Sequence, residues 1–121
     1  MRVDKIIIGF QEIRRAFPDA MLSNSYKYIL IPRFPLPRQF NKPYTPLLIK
    51  INSDYQAPET YVDKELRVNG QRSNHLAESL TEDYMLEKGW VKLCHQVNWS
   101  SFHTLVDYVL MIMDYLRRLN E

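Results

Sequence analysis

A single cysteine, Cys94, leaves this 121-residue chain without an internal disulfide, which suits a reducing compartment. Charge of one sign is scarce as well. Sixteen Lys and Arg against 14 Asp and Glu leave +2, too small a bias to argue for nucleic acid or an anionic membrane as partner. No apolar run approaches the roughly 20 residues of a membrane-spanning helix. The opening MRVDKIIIGF is too short and too soon charged for a secretory signal. There is no internal repeat and no low-complexity segment. What is left is one globular domain over residues 1–121, expected in the cytoplasm, with 45% hydrophobic residues for a core.

Ile6, Phe10, Ile13 and Phe17 share one helical face, which Asp4 is placed to cap and Pro18 to end, with Gly9 a weak point inside it. Residues 25–31 are aromatic and β-branched and read as a strand. Pro32, Pro35, Pro37, Pro43 and Pro46 follow, and their missing backbone donors predict a rigid connection outside the central sheet. Leu47, Ile49 and Ile51 then alternate with Leu48 and Lys50 in a second strand. A third is expected over residues 60–68, where Val62, Leu66 and Val68 alternate with Asp63, Glu65 and Arg67, and Lys64 falls on the apolar side. Asn69-Gly70 is a tight-turn pair. Residues 71–88 are polar and weakly patterned, and offer only a short helical turn at 76–80.

Residues 90–99 read as a loop bracketed by Trp90 and Trp99, two expected core anchors. Beyond it Leu105, Val109, Ile112, Leu116 and Leu119 form a helical seam, with Phe102 one turn earlier. Thr104 and Asp107 have the spacing of a capping box. Asp107, Asp114, Arg117 and Arg118 form a narrow polar stripe, in which Asp114 and Arg118 are an i, i+4 pair worth about 0.3–0.5 kcal/mol. Val106, Leu110 and Met113 widen the apolar arc, so either other elements cover this helix or part of it is an interface, a homodimer being one choice. The fold class is α+β: an N-terminal helix, an antiparallel meander of three to four strands, and a long C-terminal helix packed on the sheet.

Cys94 is either a nucleophile, which needs an accessible thiolate, or a buried small hydrophobe. His95 is a candidate to lower its pKa or act as base, although adjacent residues in an extended segment point opposite ways. His75 is a second candidate, against the alternative of an exposed loop histidine. His103 precedes the last helix and most simply packs or caps there, and Ser100 and Ser101, with no base nearby in sequence, read as structural. Cys94, His95 and His75 lack zinc-ligand spacing and a fourth ligand, so no metal is expected, and no cofactor.

Two blocks carry a resemblance. Residues 48–62, LIKINSDYQAPETYV, are similar to the strand, Tyr-Pro loop and following strand of the ubiquitin-conjugating (UBC) fold, with Tyr55 and Pro58 in place and Gln56 where a proline is usual. Residues 99–105, WSSFHTL, resemble that family's entry into its central helix, with Ser101 replacing a proline. The order Phe34-Pro35-Leu36-Pro37, Tyr55 to Pro58, Asn69-Gly70 and the tryptophan-flanked cysteine segment resembles the divergent bacterial UBC-like proteins called family E. The resemblance covers the chain from about Tyr26 onward.

The resemblance implies that Cys94 takes a ubiquitin-like protein from an activating enzyme as a thioester and transfers it to an amine. The alternative is a non-catalytic binding module for the same partners, with Cys94 structural. It also implies an oxyanion donor. The family's His-Pro-Asn tripeptide is missing, and only Asn69 stands near its place. His95 and Gln96 follow Cys94 where the family's loop often has an Arg-His pair. The two C-terminal helices of eukaryotic relatives are not expected in this chain.

Overall fold

The computed structural model describes residues 1–95 and 97–120; Gln96, next to the expected site, and Glu121 lie outside the described residues. In chain order the elements are α1 (Val3–Ala16), β1 (Met21–Leu22), β2 (Tyr28–Pro35), β3 (Tyr44–Lys50) and β4 (Glu59–Asp63). They are followed by β5 (Leu76–Ala77), α2 (Asp83–Glu87), β6 (Trp90–Leu93) and α3 (Leu105–Arg118). The protein is α+β, with one antiparallel sheet in the order β1-β2-β3-β4-β6-β5.

The sheet has six strands where three to four were expected. β1 and β5 are two residues each, too short to show an alternation. Residues 76–80, expected to hold a helical turn, begin instead with β5 at Leu76–Ala77 and then turn. The expected loop at 90–99 opens instead as β6, which lies between β4 and β5 and turns Val91 and Leu93 into the core.

The proline segment also departs from expectation, since β2 runs through Pro32 and Pro35 and β3 includes Pro46. The ladder steps around the missing donors. Ile31 pairs with Leu47 and Phe34 with Thr45, so Pro32 and Arg33 bulge opposite Pro46 alone. β1 covers only Ile29 and Leu30, so among the described residues the proline end of β2 has no outer strand to which a donor is owed. The third strand stops at Asp63. Lys64 turns outward, while Leu66 and Val68 are buried by the chain that follows. Asn69 and Gly70 form the expected turn, with φ of 52° and 78° and reciprocal Val68–Gln71 backbone bonds of 2.8 and 3.0 Å.

Cross-strand register sorts the side chains. Ile29, Ile49 and Thr60 form one inward row, and Val62 with Val91 and Leu76 with Leu93 continue that face. Leu30, Leu48, Tyr61, Lys92 and Ala77 form a row on the opposite face. The inward rows join Ile6 and Ile13 of α1 and the α3 seam, Leu105, Val109, Ile112, Leu116 and Leu119, in one core. The α3 capping box is present, with Asp107 N–H donating to Thr104 Oγ1 at 3.2 Å and Thr104 N–H to the Asp107 carboxylate at 2.8 Å. Asp114 and Arg118 pair at 2.6 Å. Phe102 does not extend the seam, because its side chain is 92% exposed. Asp4 does not cap α1; Arg2 is the N-cap and makes no side-chain cap bond.

Gly9 has a packing reason. α1 crosses α3 there so closely that a Cβ on Gly9 would stand 2.9 Å from Leu105 Cβ. Gly9→Ala should gain up to about 1 kcal/mol of helix propensity yet lose about 1–3 kcal/mol to overpacking. The net expectation is a lower melting temperature, measured by thermal denaturation followed by circular dichroism. An unchanged or raised value would show that the crossing tolerates the methyl group.

Candidate functional site

Cys94 is the first residue past β6. Its N–H donates to the His75 carbonyl at 2.7 Å, which carries the β5–β6 ladder one pair further. Its carbonyl accepts from the Tyr115 hydroxyl of α3 at 2.8 Å. The backbone is thus held by the sheet on one side and by a helix on the other, while the residue is half-exposed. Cys94 lines a cleft of about 410 Å³ together with Ala57, Pro58, Glu59, Leu80, Lys92, Leu93 and His95.

Strand pairing brings the His75 backbone beside that of Cys94, and the residue is half-buried rather than an exposed loop residue. The Tyr115 hydroxyl also lies 2.7 Å from His75 Nδ1. That hydroxyl has one proton, and the Cys94 carbonyl can only accept, so His75 Nδ1–H must donate to the tyrosine oxygen. Neutral His75 is thereby left with a lone pair on Nε2. Burial, and the thiolate charge that Cys94 can carry nearby, raise the Tyr115 pKa, so the hydroxyl keeps its proton.

His95 goes elsewhere. Its Nε2 is 2.6 Å from the buried Tyr108 hydroxyl of α3. Tyr108 gives its one proton to the Pro58 carbonyl at 2.9 Å, so its oxygen accepts from His95 Nε2–H and from the Thr60 hydroxyl. His95 Nδ1 is then a bare acceptor, buried and without a partner among the described residues. Burial, reinforced by the Lys92 ammonium, pushes the imidazole pKa down to about 4, so His95 is neutral near pH 7. This geometry suits a packed side chain better than a base for Cys94.

Asn69 is also engaged away from the thiol, its amide donating to the Asn120 carbonyl past the end of α3 at 2.8 Å. Trp99 packs against the core, its ring edge toward Tyr108 and its Nε1–H donating to the Asp54 carbonyl at 3.0 Å. Trp90 opens β6, half-exposed. His103 packs beside Trp99, and its Nδ1 accepts from Ser100 N–H at 2.9 Å. Among the described residues, no group of three His, Cys, Asp or Glu is placed to hold a metal ion, and no helix is long and apolar enough to cross a membrane.

Sequence reasoning missed Tyr108, Tyr115, Glu59 and Lys92. The tyrosines did carry a signal: seven residues apart, they share one face of α3, inside an arc otherwise read as purely apolar. No family model, curated protein or solved structure matches the chain.

The His95 shift has a definite sign. The folded pKa lies below the ordinary value of 6.5, so the unfolded chain binds the proton first. The stability that neutral His95 contributes is complete above pH 6.5 and falls as the pH drops toward 4. Denaturant unfolding across that window should show the decline, and His95→Gln should flatten it. Equal slopes in the two proteins would refute the assignment.

Proposed function

We propose that the chain is a ubiquitin-conjugating-like protein of the UBC fold. In this reading Cys94 accepts the C-terminus of a ubiquitin-like protein as a thioester from an activating enzyme, then yields it to an amine. The observation that carries the reading is the setting of Cys94: half-exposed on a cleft, its backbone held at both N–H and carbonyl, with His75 paired to it just before the neighbouring strand. Transthioesterification needs such a positioned, reachable thiolate and a nearby group to handle the proton. The element order supports the fold assignment: an N-terminal helix, an antiparallel meander, a loop from Tyr55 to Pro58, the cysteine and a long helix. Asn69 serves as oxyanion donor in this scheme only by releasing the Asn120 carbonyl. A lone cysteine agrees with a cytoplasmic setting for this chemistry.

A second reading is a non-catalytic UBC-like module that binds a ubiquitin-like protein or its activating enzyme. It is favoured by one observation, that His95 and Asn69 both spend their side chains on structural bonds. Incubation with an activating enzyme, ATP and a ubiquitin-like protein separates the two. Under the first reading an adduct forms that thiol reduction removes and Cys94→Ala abolishes, and Cys94→Ser gives a reduction-resistant ester. No adduct with several cognate pairs, together with sluggish alkylation of the native thiol, would favour the second.

Either reading leaves the Leu110 flank of α3 open, that side chain being 57% exposed, and we place a homodimer contact there. Light scattering at high concentration should report a dimer that Leu110→Glu dissociates. A strictly monomeric wild type removes that contact.

A further inference from the structure

The solvent face of α3 carries a knob and a groove that match each other. On a helix turning by about 100° per residue, Val106, Leu110, Met113 and Arg117 fall on one stripe. Leu110 is the knob, and it stands 57% exposed. Toward the C-terminal end, Met113 and Arg117 form one wall of a groove of about 190 Å³, and Pro35, Leu36 and Pro37 form the other. The Gln39 amide pins that second wall to the helix, donating to the Leu116 and Leu119 carbonyls at 3.0 and 2.9 Å. The groove is apolar except for Arg117, whose guanidinium rests on the Met113 sulfur at 3.7 Å. Among the described residues that guanidinium has no carboxylate partner, whereas Arg118 is paired with Asp114.

Charge decides how two such faces meet. The first turn of α3 holds the acid Asp107, and the last turn holds the bases Arg117 and Arg118. Two copies side by side in parallel would set Asp107 against Asp107 and Arg117 against Arg117. Turned antiparallel about a two-fold axis, they set the acidic turn of each against the basic turn of the other. Seating Leu110 between Met113 and Arg117 fixes the register, and that same register brings Asp107 opposite Arg118. We infer that the chain pairs with a second copy of itself through antiparallel α3 helices, each Leu110 filling the other copy's groove. The inference rests on the homodimer contact placed at Leu110 and adds its direction, its pocket and its charge pairs. Tyr108 and Tyr115 lie about 140–160° round the helix from Leu110. Both Cys94 clefts therefore stay open, on the outer sides of the pair.

The test uses the full chain with Cys94→Ser, carrying Val106→Cys in one preparation and Arg117→Cys in another, and a short bis-maleimide cross-linker. In the antiparallel register Val106 of one copy lies within a turn of Arg117 of the other. The two Val106 positions stand about 20 Å apart along the axis, and the two Arg117 positions about 13 Å. The mixture of the two variants should give a cross-linked dimer on a denaturing gel about fivefold or more stronger than either variant alone, whose like positions lie beyond reach. Bands as strong in the single variants mark a parallel or random pair and overturn the inference. No band in any lane, beside a wild-type dimer that Leu110→Glu dissociates, overturns the antiparallel arrangement and leaves the Leu110 contact standing. A strictly monomeric wild type by light scattering overturns both.

Discussion

The buried hydroxyl of Tyr108 is the contact on which the rest of this architecture turns. It reaches from α3 to the Pro58 carbonyl, to Thr60 at the start of β4, and to His95 beyond the end of β6. A buried hydroxyl without partners costs about 1–3 kcal/mol, so the helix, the sheet and the 53–58 loop are obliged to meet at one point. Having a single proton, the hydroxyl also dictates direction: it gives to a carbonyl and receives from two neighbours. Two of its partners, Pro58 and His95, line the Cys94 cleft.

Tyr115 repeats the arrangement two turns along the same helix, beside β5 and the end of β6. One tyrosine therefore draws His95 inward and the other ties His75 to the backbone of Cys94. The two histidines separate, His95 going to the buried Tyr108 junction and His75 to the Tyr115 hydroxyl beside the Cys94 carbonyl. Adjacency in sequence put His95 next to Cys94; pairing across the sheet puts the His75 backbone there as well. In a sheet protein the residue opposite is nearer in function than the residue next door, since alternation sends chain neighbours to opposite faces.

The two long helices were legible in the sequence because fourteen residues each give periodicity room to show. The Thr104–Asp107 box and the Asn69-Gly70 turn were legible because their chemistry is local. The edge strands were not, since two residues cannot display an alternation and their pairing is decided by β2 and β6. Proline misled for a physical reason. It forbids a donor, not an extended backbone, and a bulge beside an uncovered edge removes the demand for the donor. Gly9 looked like a defect in its helix until the crossing by Leu105 supplied the cause. Of the expected site residues, Cys94 and His75 meet, while Asn69 and His95 have bonds of their own that no one-dimensional pattern encodes.

The prolines of β2 have one more consequence, for colloidal behaviour. At one margin of the sheet β1 is two residues long, and beyond it Pro32 and Pro35 offer no N–H to an incoming strand. At the other margin β5 is likewise only two residues long, and its Ala77 carbonyl turns inward, bridged by the Thr81 hydroxyl to the Lys92 N–H of β6. An exposed strand edge is the usual template for runaway growth into fibrils, and here both ends of the ladder are poor templates. A crowded solution of this protein should therefore associate through helix faces and loops, in assemblies that close, rather than by adding strands without limit.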